Sequence, residues 1–353
     1  MATPVPEIQN AKFPFHDDPS NNGDQDFAVL RSSDLCDFLV YKPFLCFAKD
    51  SFFRGLFSGA QALEYKNGLP VARLEEKSDV IRDLLLLCYP GKAPTFEATE
   101  LERPADPVKH IVNVLRTAEK YCLMSEELSG RVDEALMASP VIEWAPYRVY
   151  AIGVRYRLKS VCLRAAKNSL AEALHSDWAD EMNEITAMDL LALQSYQNEV
   201  KMTVRRFYET VQNGDSYWID ARDLPFTLTT NLHSLEAKGH SKECIQSFLR
   251  CDVKIFAHED DSGGPYIAHY HIPTWFDDYI NGVATLCETR MDWKAFTNSK
   301  LISTAVNCGT KNCPTCLSDG SSAALKMAAW AACFHDIIQS YSESKVPQLK
   351  LTF

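Results

Sequence analysis

The sequence of this 353-residue chain predicts an α+β fold, with a small sheet packed by helices near the N-terminus and a mostly α-helical C-terminal region. Three observations carry that expectation. Asp26 to Arg31 and Asp37 to Lys42 are short apolar runs flanking the turn-like Ser32-Ser33-Asp34, the pattern of a β-hairpin. Helical spacing of apolar residues sets in from Ser78. From Pro146 onward strand signals nearly vanish and helical periods take over.

The elements follow in order. Pro43 ends the second strand, and Asp50 or Ser51 is placed to cap a short helix carrying Phe52, Phe53, Leu56 and Phe57, one apolar stripe read as core rather than interface. Leu69 to Leu74 reads as a third strand. Ser78 is read as the cap of a helix running through Tyr89, with Val80, Ile81, Leu84, Leu85 and Cys88 on one side. Asp106-Pro107 starts another, because the carboxylate accepts a free N–H while proline sits where none is needed; Val108, Ile111, Val112, Leu115 and Cys122 form its expected inner face. Ser125 opens the next, with Leu128, Val132 and Leu136 inward. Helices are then expected over Tyr147 to Tyr156, Leu158 to Leu174 and Met188 to Val211, the last capped by Thr186 and buried along Leu193, Val200, Val204, Phe207 and Val211. Glu259 to Gly264 reads as an exposed loop, Trp275, Tyr279, Val283 and Leu286 mark a further helix, and Ser322 to Ser342 the last.

Length and composition bound the function. Single cores stop growing at roughly 250 to 300 residues, so more than one domain is expected: a flexible tail over 1–22, an α/β module over 23–138, a helical region over 139–212 and a helical C-terminal region over 213–353. A net charge of −11 argues against a nucleic-acid partner, whose phosphates are held by Lys and Arg. The N-terminus lacks the apolar stretch of a secretory signal, and no run approaches the ~18 apolar residues of a membrane span, so no membrane partner is expected. Outside one cluster the 12 cysteines are scattered singly, as thiols are in a reducing compartment, which points to cytoplasm or nucleus.

The order of hairpin, aromatic helix, third strand and further helices resembles the BTB/POZ domain. The wording carries the likeness in Leu30-Arg31-Ser32-Ser33-Asp34, Phe38-Leu39-Val40-Tyr41-Lys42-Pro43, Ser51-Phe52-Phe53-Arg54-Gly55-Leu56-Phe57-Ser58, Gly68-Leu69-Pro70-Val71 and Leu84-Leu85-Leu86-Leu87-Cys88-Tyr89-Pro90. It resembles in particular the BTB proteins abundant in mushroom-forming fungi, and Arg148-Val149-Tyr150-Ala151-Ile152 with the following helices looks like the BACK-type extension. The family commonly has Asp in the first strand and His before the lysine of the second, where Phe27 and Tyr41 stand here. The resemblance implies a non-enzymatic protein-binding role: homo- or hetero-oligomerisation through the BTB domain, a cullin-type ubiquitin ligase adaptor, or a transcription-related regulator. The nearest match to a cullin-docking hydrophobic-any-Glu pattern is Ala62-Leu63-Glu64.

The sharpest chemical signal is Cys308-x4-Cys313-x2-Cys316, whose spacing can present thiolates to one structural zinc. Loop thiols and a redox pair are the alternatives, and a fourth ligand would come from Cys287, Cys333, His335, Cys251, His269 or His271. His240, Cys244, Cys251 and His258 have gaps too irregular for a zinc finger and read as coincidence. No catalytic residue and no organic cofactor stands out: phosphate-loop, His-Glu-x-x-His and Gly-x-Ser-x-Gly patterns are all missing from the sequence. The competing reading is a zinc-dependent metalloenzyme built on the C-terminal Cys and His residues.

Overall fold

The structure is a computed structural model. It describes residues 7–21, 23–58, 64–96, 106–171, 179–213, 215–216, 236–246, 248–255, 266–289, 291, 293–310 and 313–318, with scattered positions between 325 and 353. It is mixed α/β and divides into two compact units, one of residues 1–165 with 179–185 and 353, the other of 166–178 with 186–352.

The first unit is built on a five-stranded sheet. The hairpin strands are β2 (Phe27–Arg31) and β3 (Cys36–Tyr41), antiparallel from Phe27↔Tyr41 to Arg31↔Asp37; β1 (Gln9–Asn10) precedes them. Ser32 closes the turn, its hydroxyl accepting from the Cys36 N–H at 2.8 Å, and Leu35 takes the left-handed conformation the tight reversal requires. Ala28, Val29 and Leu30 are all buried, so β2 is covered on both faces and its apolar run is continuous rather than alternating. Helix α1 (Phe52–Ser58) follows, started by Ser51, whose hydroxyl accepts from the Phe53 N–H at 3.2 Å. Strands β4 (Tyr65–Lys66) and β5 (Leu69–Arg73) complete the order β1-β3-β2-β5-β4, with β5 parallel to β2.

Helices α2 (Ser78–Cys88), α3 (Pro107–Lys120) and α4 (Glu126–Ala138) supply the other wall of the core. The Asp106 carboxylate accepts from the Lys109 N–H at 3.2 Å and Ser125 from that of Leu128 at 3.2 Å, so both expected caps are in place. Helix α2 packs on α3, with Ile81, Leu84 and Leu85 of one and Val108, Ile111 and Leu115 of the other buried, each side chain contributing about 1.5 to 3 kcal/mol. Short α5 (Val141–Trp144), then α6 (Pro146–Arg155) and α7 (Lys159–Asn168), continue the chain; Arg148 of α6 holds Asp106 at 2.7 Å and Glu181 at 2.8 Å.

Four expectations for this unit are corrected. The tail expected over 1–22 is, from residue 7 to 21, folded onto the sheet: Gln9 and Ala11 N–H groups donate to the Leu35 and Asp37 carbonyls, and Phe15 is fully buried beside Phe38 and Tyr89. One buried aromatic, Phe15, and the two strand hydrogen bonds outweigh the polar composition. The stripe on α1 is divided, since Phe53 is buried while Phe52 and Leu56 are exposed. Ser78 is the first helical residue rather than the cap, its N–H and hydroxyl donating to Asp34 at 2.9 and 2.6 Å. Cys122 is exposed, because α3 ends at Lys120 and the chain turns through positive φ at Cys122.

In the second unit α8 (Ala187–Asn213) is opened by a reciprocal box: Thr186 Oγ1 accepts from the Asp189 N–H at 3.2 Å while Asp189 accepts from the Thr186 N–H at 2.9 Å. Leu193 and Val200 are buried as expected; the side chains of Val204, Phe207 and Val211 lie outside the described residues. The C-terminal region is not purely helical. After α8 come β6 (Asp215–Ser216), α9 (Lys242–Gln246), β7 (Phe248–Ile255) and β8 (Tyr266–Pro273), and β7 pairs antiparallel with β8 from Phe248↔Pro273 to Ile255↔Tyr266 while β6 runs parallel to β7. The strand signal was period-2 alternation with Arg250, Asp252 and Lys254 interleaved among apolar residues, which interrupts any apolar run. The Glu259 to Gly264 loop lies outside the described residues, as does most of Ser322 to Ser342.

Helix α10 (Thr274–Thr289) packs on α8 and, beyond α11 (Trp293–Phe296), on α12 (Ser299–Thr310); α13 (Pro314–Ser318) follows. Tyr279, Ile280, Val283 and Cys287 are buried, but Leu286 is exposed, one step off the inner face. Gly282 lets the helices approach: a Cβ there would lie 3.0 Å from Leu301 Cδ2. Among the described residues no helix is long and apolar enough to cross a membrane.

Candidate functional site

In the first unit α1 buries one aromatic residue and leaves two apolar residues partly exposed. The Ser51 cap orients the helix so that the Phe53 ring enters the core, its centroid 5.1 Å from that of Tyr121. Phe52 and Leu56, one helical turn apart, are left 45% and 37% exposed, and Phe47 just before the helix is 38% exposed. These three side chains lie close together in the sequence on and just before a short helix, and the Phe52 ring still meets that of Tyr121 at 5.3 Å.

A charge lock stands at the closed end of the hairpin. The register sets Arg31 opposite Asp37; Nε donates to Oδ1 at 2.6 Å and Nη2 to Oδ2 at 3.0 Å, a bidentate pair in which both residues are buried. Lys66 donates to Asp37 Oδ2 at 2.9 Å, and Glu64 accepts from both Arg31 and Arg73. Burial works to raise the Asp37 carboxyl, but hydrogen bonds from Arg31 and Lys66 outweigh it and hold its pKa below the ordinary carboxylate value. At the other end Phe27 and Tyr41 face each other at 5.3 Å, and the rings continue through Phe44 at 5.3 Å to Tyr89 at 4.7 Å. Tilted and edge-to-face aromatic contacts therefore fasten this end of the hairpin. Of the Ala62-Leu63-Glu64 pattern only Glu64 is described, and its carboxylate is engaged in the lock.

Between α2 and α3 runs an open groove of about 730 Å³, lined by charged residues that include Glu76, Asp79, Lys109, His110, Arg116 and Lys120. His110 Nε2 sits 2.8 Å from Asp83 and Nδ1 3.7 Å from Asp79. Burial opposes the charge on this imidazole, yet the Asp83 hydrogen bond and the two carboxylates prevail and raise its pKa above the ordinary value.

In the second unit the structure places the three cysteines expected to bind metal as follows. Cys308 lies in the last turn of α12 and Cys316 within α13, their side chains outside the described residues, while Cys313 is buried at the start of α13. Cys313 meets two residues from outside the Cys308–Cys316 cluster: its Sγ is 3.6 Å from His240 Nδ1, and Cys244 Sγ is 3.7 Å from the same nitrogen. The three ligand atoms lie within 4.8 Å of one another. Of the other candidates, Cys287 is buried in α10, Cys251 belongs to β7, and His269 and His271 stand in β8 in register with Asp252 and Arg250. His335 Nδ1 pairs with Asp336 at 3.0 Å, and Cys333 is outside the described residues. The sequence signal for His240 was the H-x3-C spacing before a short helix, legible only once Cys313, 73 positions away, is known to fold against it.

Comparison of the chain with protein-family models, with curated proteins and with solved structures finds no match.

Proposed function

We propose that this chain is a non-enzymatic protein-interaction scaffold of BTB/POZ type, whose N-terminal unit self-associates and whose C-terminal unit is available to a second protein. The observation that carries this reading is the surface of α1, where Phe52 and Leu56 face solvent from a helix whose only buried residue is Phe53. A second copy of the chain is the partner that fits, because like apolar patches bury each other in a two-fold interface without leaving charges unpaired. The element order supports the reading too: antiparallel hairpin, aromatic helix, a strand parallel to β2, then helices. Cullin docking and transcription-related partners remain subsidiary roles of the same proposal. The single, scattered placement of most cysteines along the sequence is the basis for proposing a reducing compartment, cytoplasm or nucleus.

The test is co-precipitation of two differently tagged copies of the full chain. Recovery of the second tag is expected for the wild type and should fall at least about tenfold, the equivalent of ~1.4 kcal/mol, in a Phe52→Asp, Leu56→Asp double variant that keeps its helical circular dichroism. Equal recovery from both proteins would remove α1 from the interface, and no recovery from the wild type would remove self-association.

A further inference from the structure

We propose that His240, Cys244 and Cys313 bind a structural zinc ion in the second unit, with Cys316 as the fourth ligand on sequence spacing alone. A zinc ion about 2.3 Å from sulfur and 2.0–2.1 Å from imidazole nitrogen, at the tetrahedral angle, sets nitrogen and sulfur about 3.6 Å apart. The two sulfur–Nδ1 separations here are 3.7 and 3.6 Å, so a single imidazole nitrogen already forms two edges of the required tetrahedron. Cys244 and Cys313 are free thiols rather than a disulfide, and a lone thiol–imidazole hydrogen bond would need only one of them.

The backbone is built around the same point. Gly239 takes φ +80°, a left-handed turn that other residues adopt with strain, and delivers His240 beside the start of α9. Ser241 then caps that helix, accepting from the Cys244 N–H at 3.1 Å, which fixes Cys244 four residues after His240. On the opposite side the Thr315 hydroxyl donates to the Gly239 carbonyl at 2.6 Å, tying the first turn of α13 to the turn that carries His240. Cys313 and Cys244 are buried, and burial of soft ligands is the mark of a closed structural site rather than of a catalytic one with an open position. Cys313 and Cys316 stand three residues apart, the separation that brings two positions onto one side of a helical turn.

The experiment uses the purified full chain. Elemental analysis should find close to one zinc per chain, and the metal-stripped protein titrated with cobalt(II) should develop intense tetrahedral visible bands with a thiolate-to-cobalt charge-transfer band. His240→Ala, Cys244→Ser and Cys313→Ser should each weaken metal binding by more than the roughly 10- to 100-fold that loss of an outer partner costs, Cys316→Ser should remove one thiolate's share of the charge-transfer intensity, and Cys122→Ser, exposed in the other unit, should change nothing. Wild-type cobalt spectra decide the matter even where a variant fails to fold. The proposal is overturned by a wild-type chain that takes up neither zinc nor cobalt, by a Cys244–Cys313 disulfide in its place, or by charge-transfer bands that survive Cys244→Ser and Cys313→Ser. An undiminished band in Cys316→Ser overturns the four-ligand set.

Discussion

Replacing Asp37 with alanine should destabilise the first unit by about 3 kcal/mol. The side chains of Arg31 and Asp37 are 4% and 2% exposed, so the substitution strands a guanidinium in the protein interior. Breaking a buried pair by removing one partner costs about 3 to 5 kcal/mol, and the lower end applies because Glu64 still accepts from Arg31. With a urea slope of about 1 to 3 kcal/mol per molar, the midpoint should fall by roughly 1 to 3 M, read by circular dichroism. Removing both charges, with Arg31→Met and Asp37→Leu together, should cost less than Asp37→Ala alone, since no unpaired ion remains. The sign of the pH effect follows from the depressed Asp37 pKa. Its contribution is complete above the unfolded carboxyl value of 3.8 and is lost as pH falls through the lower folded value, so the wild type's margin over Asp37→Asn should be flat at neutrality and shrink below about pH 4. A single variant within about 0.5 kcal/mol of wild type, or a double variant worse than the single one, would refute this account of the lock.

Three further outcomes are expected. His110 has a raised pKa, so its stabilisation is complete below 6.5 and fades as pH rises through the folded value; the margin of wild type over His110→Gln in thermal melts should therefore decline above pH 6.5, and a flat margin would contradict the Asp83 pairing. Gly153→Ala places a methyl 2.7 Å from Cys162 Sγ and 3.2 Å from its backbone nitrogen, an overpacking of about 1 to 3 kcal/mol offset by up to about 1 kcal/mol of helix propensity; a double-mutant cycle with Cys162→Ala should show coupling, and additivity would deny the contact. Asp106→Ala loses the cap of α3 and a carboxylate on Arg148, and should cost about 1 to 2 kcal/mol in urea titrations, with a loss under about 0.5 kcal/mol counting against both roles.

Much of the first unit was legible because its signals are local. Ser32 to Asp34 mark the turn, Asp106-Pro107 and Ser125 mark helix starts, and the apolar steps along α2 and α3 fix their inner faces without reference to distant residues. What escaped depended on long-range partners. Phe15 looks like part of a polar tail until Phe38 and Tyr89 are there to receive it, and Phe52 looks like core until Phe53 is seen to take the buried place, with both rings against Tyr121. The hairpin of β7 and β8 escaped although β7 alternates apolar and charged residues, the period of a strand. For the candidate metal site the sequence pointed to Cys313 through the Cys-x2-Cys spacing, but His240 and Cys244 are separated from it by a strand pair and two long helices, and spacing alone cannot carry that distance. Arg31 and Asp37 became a pair only through the strand register.

Light scattering coupled to size exclusion reads out whether the N-terminal unit brings two copies of this chain together. Across a dilution series of the full chain the account expects a molar mass of twice the monomer at the high end, drifting toward the monomer only on dilution, with the Phe52→Asp, Leu56→Asp variant monomeric throughout. A wild-type chain that elutes at the mass of one copy at every concentration would contradict it.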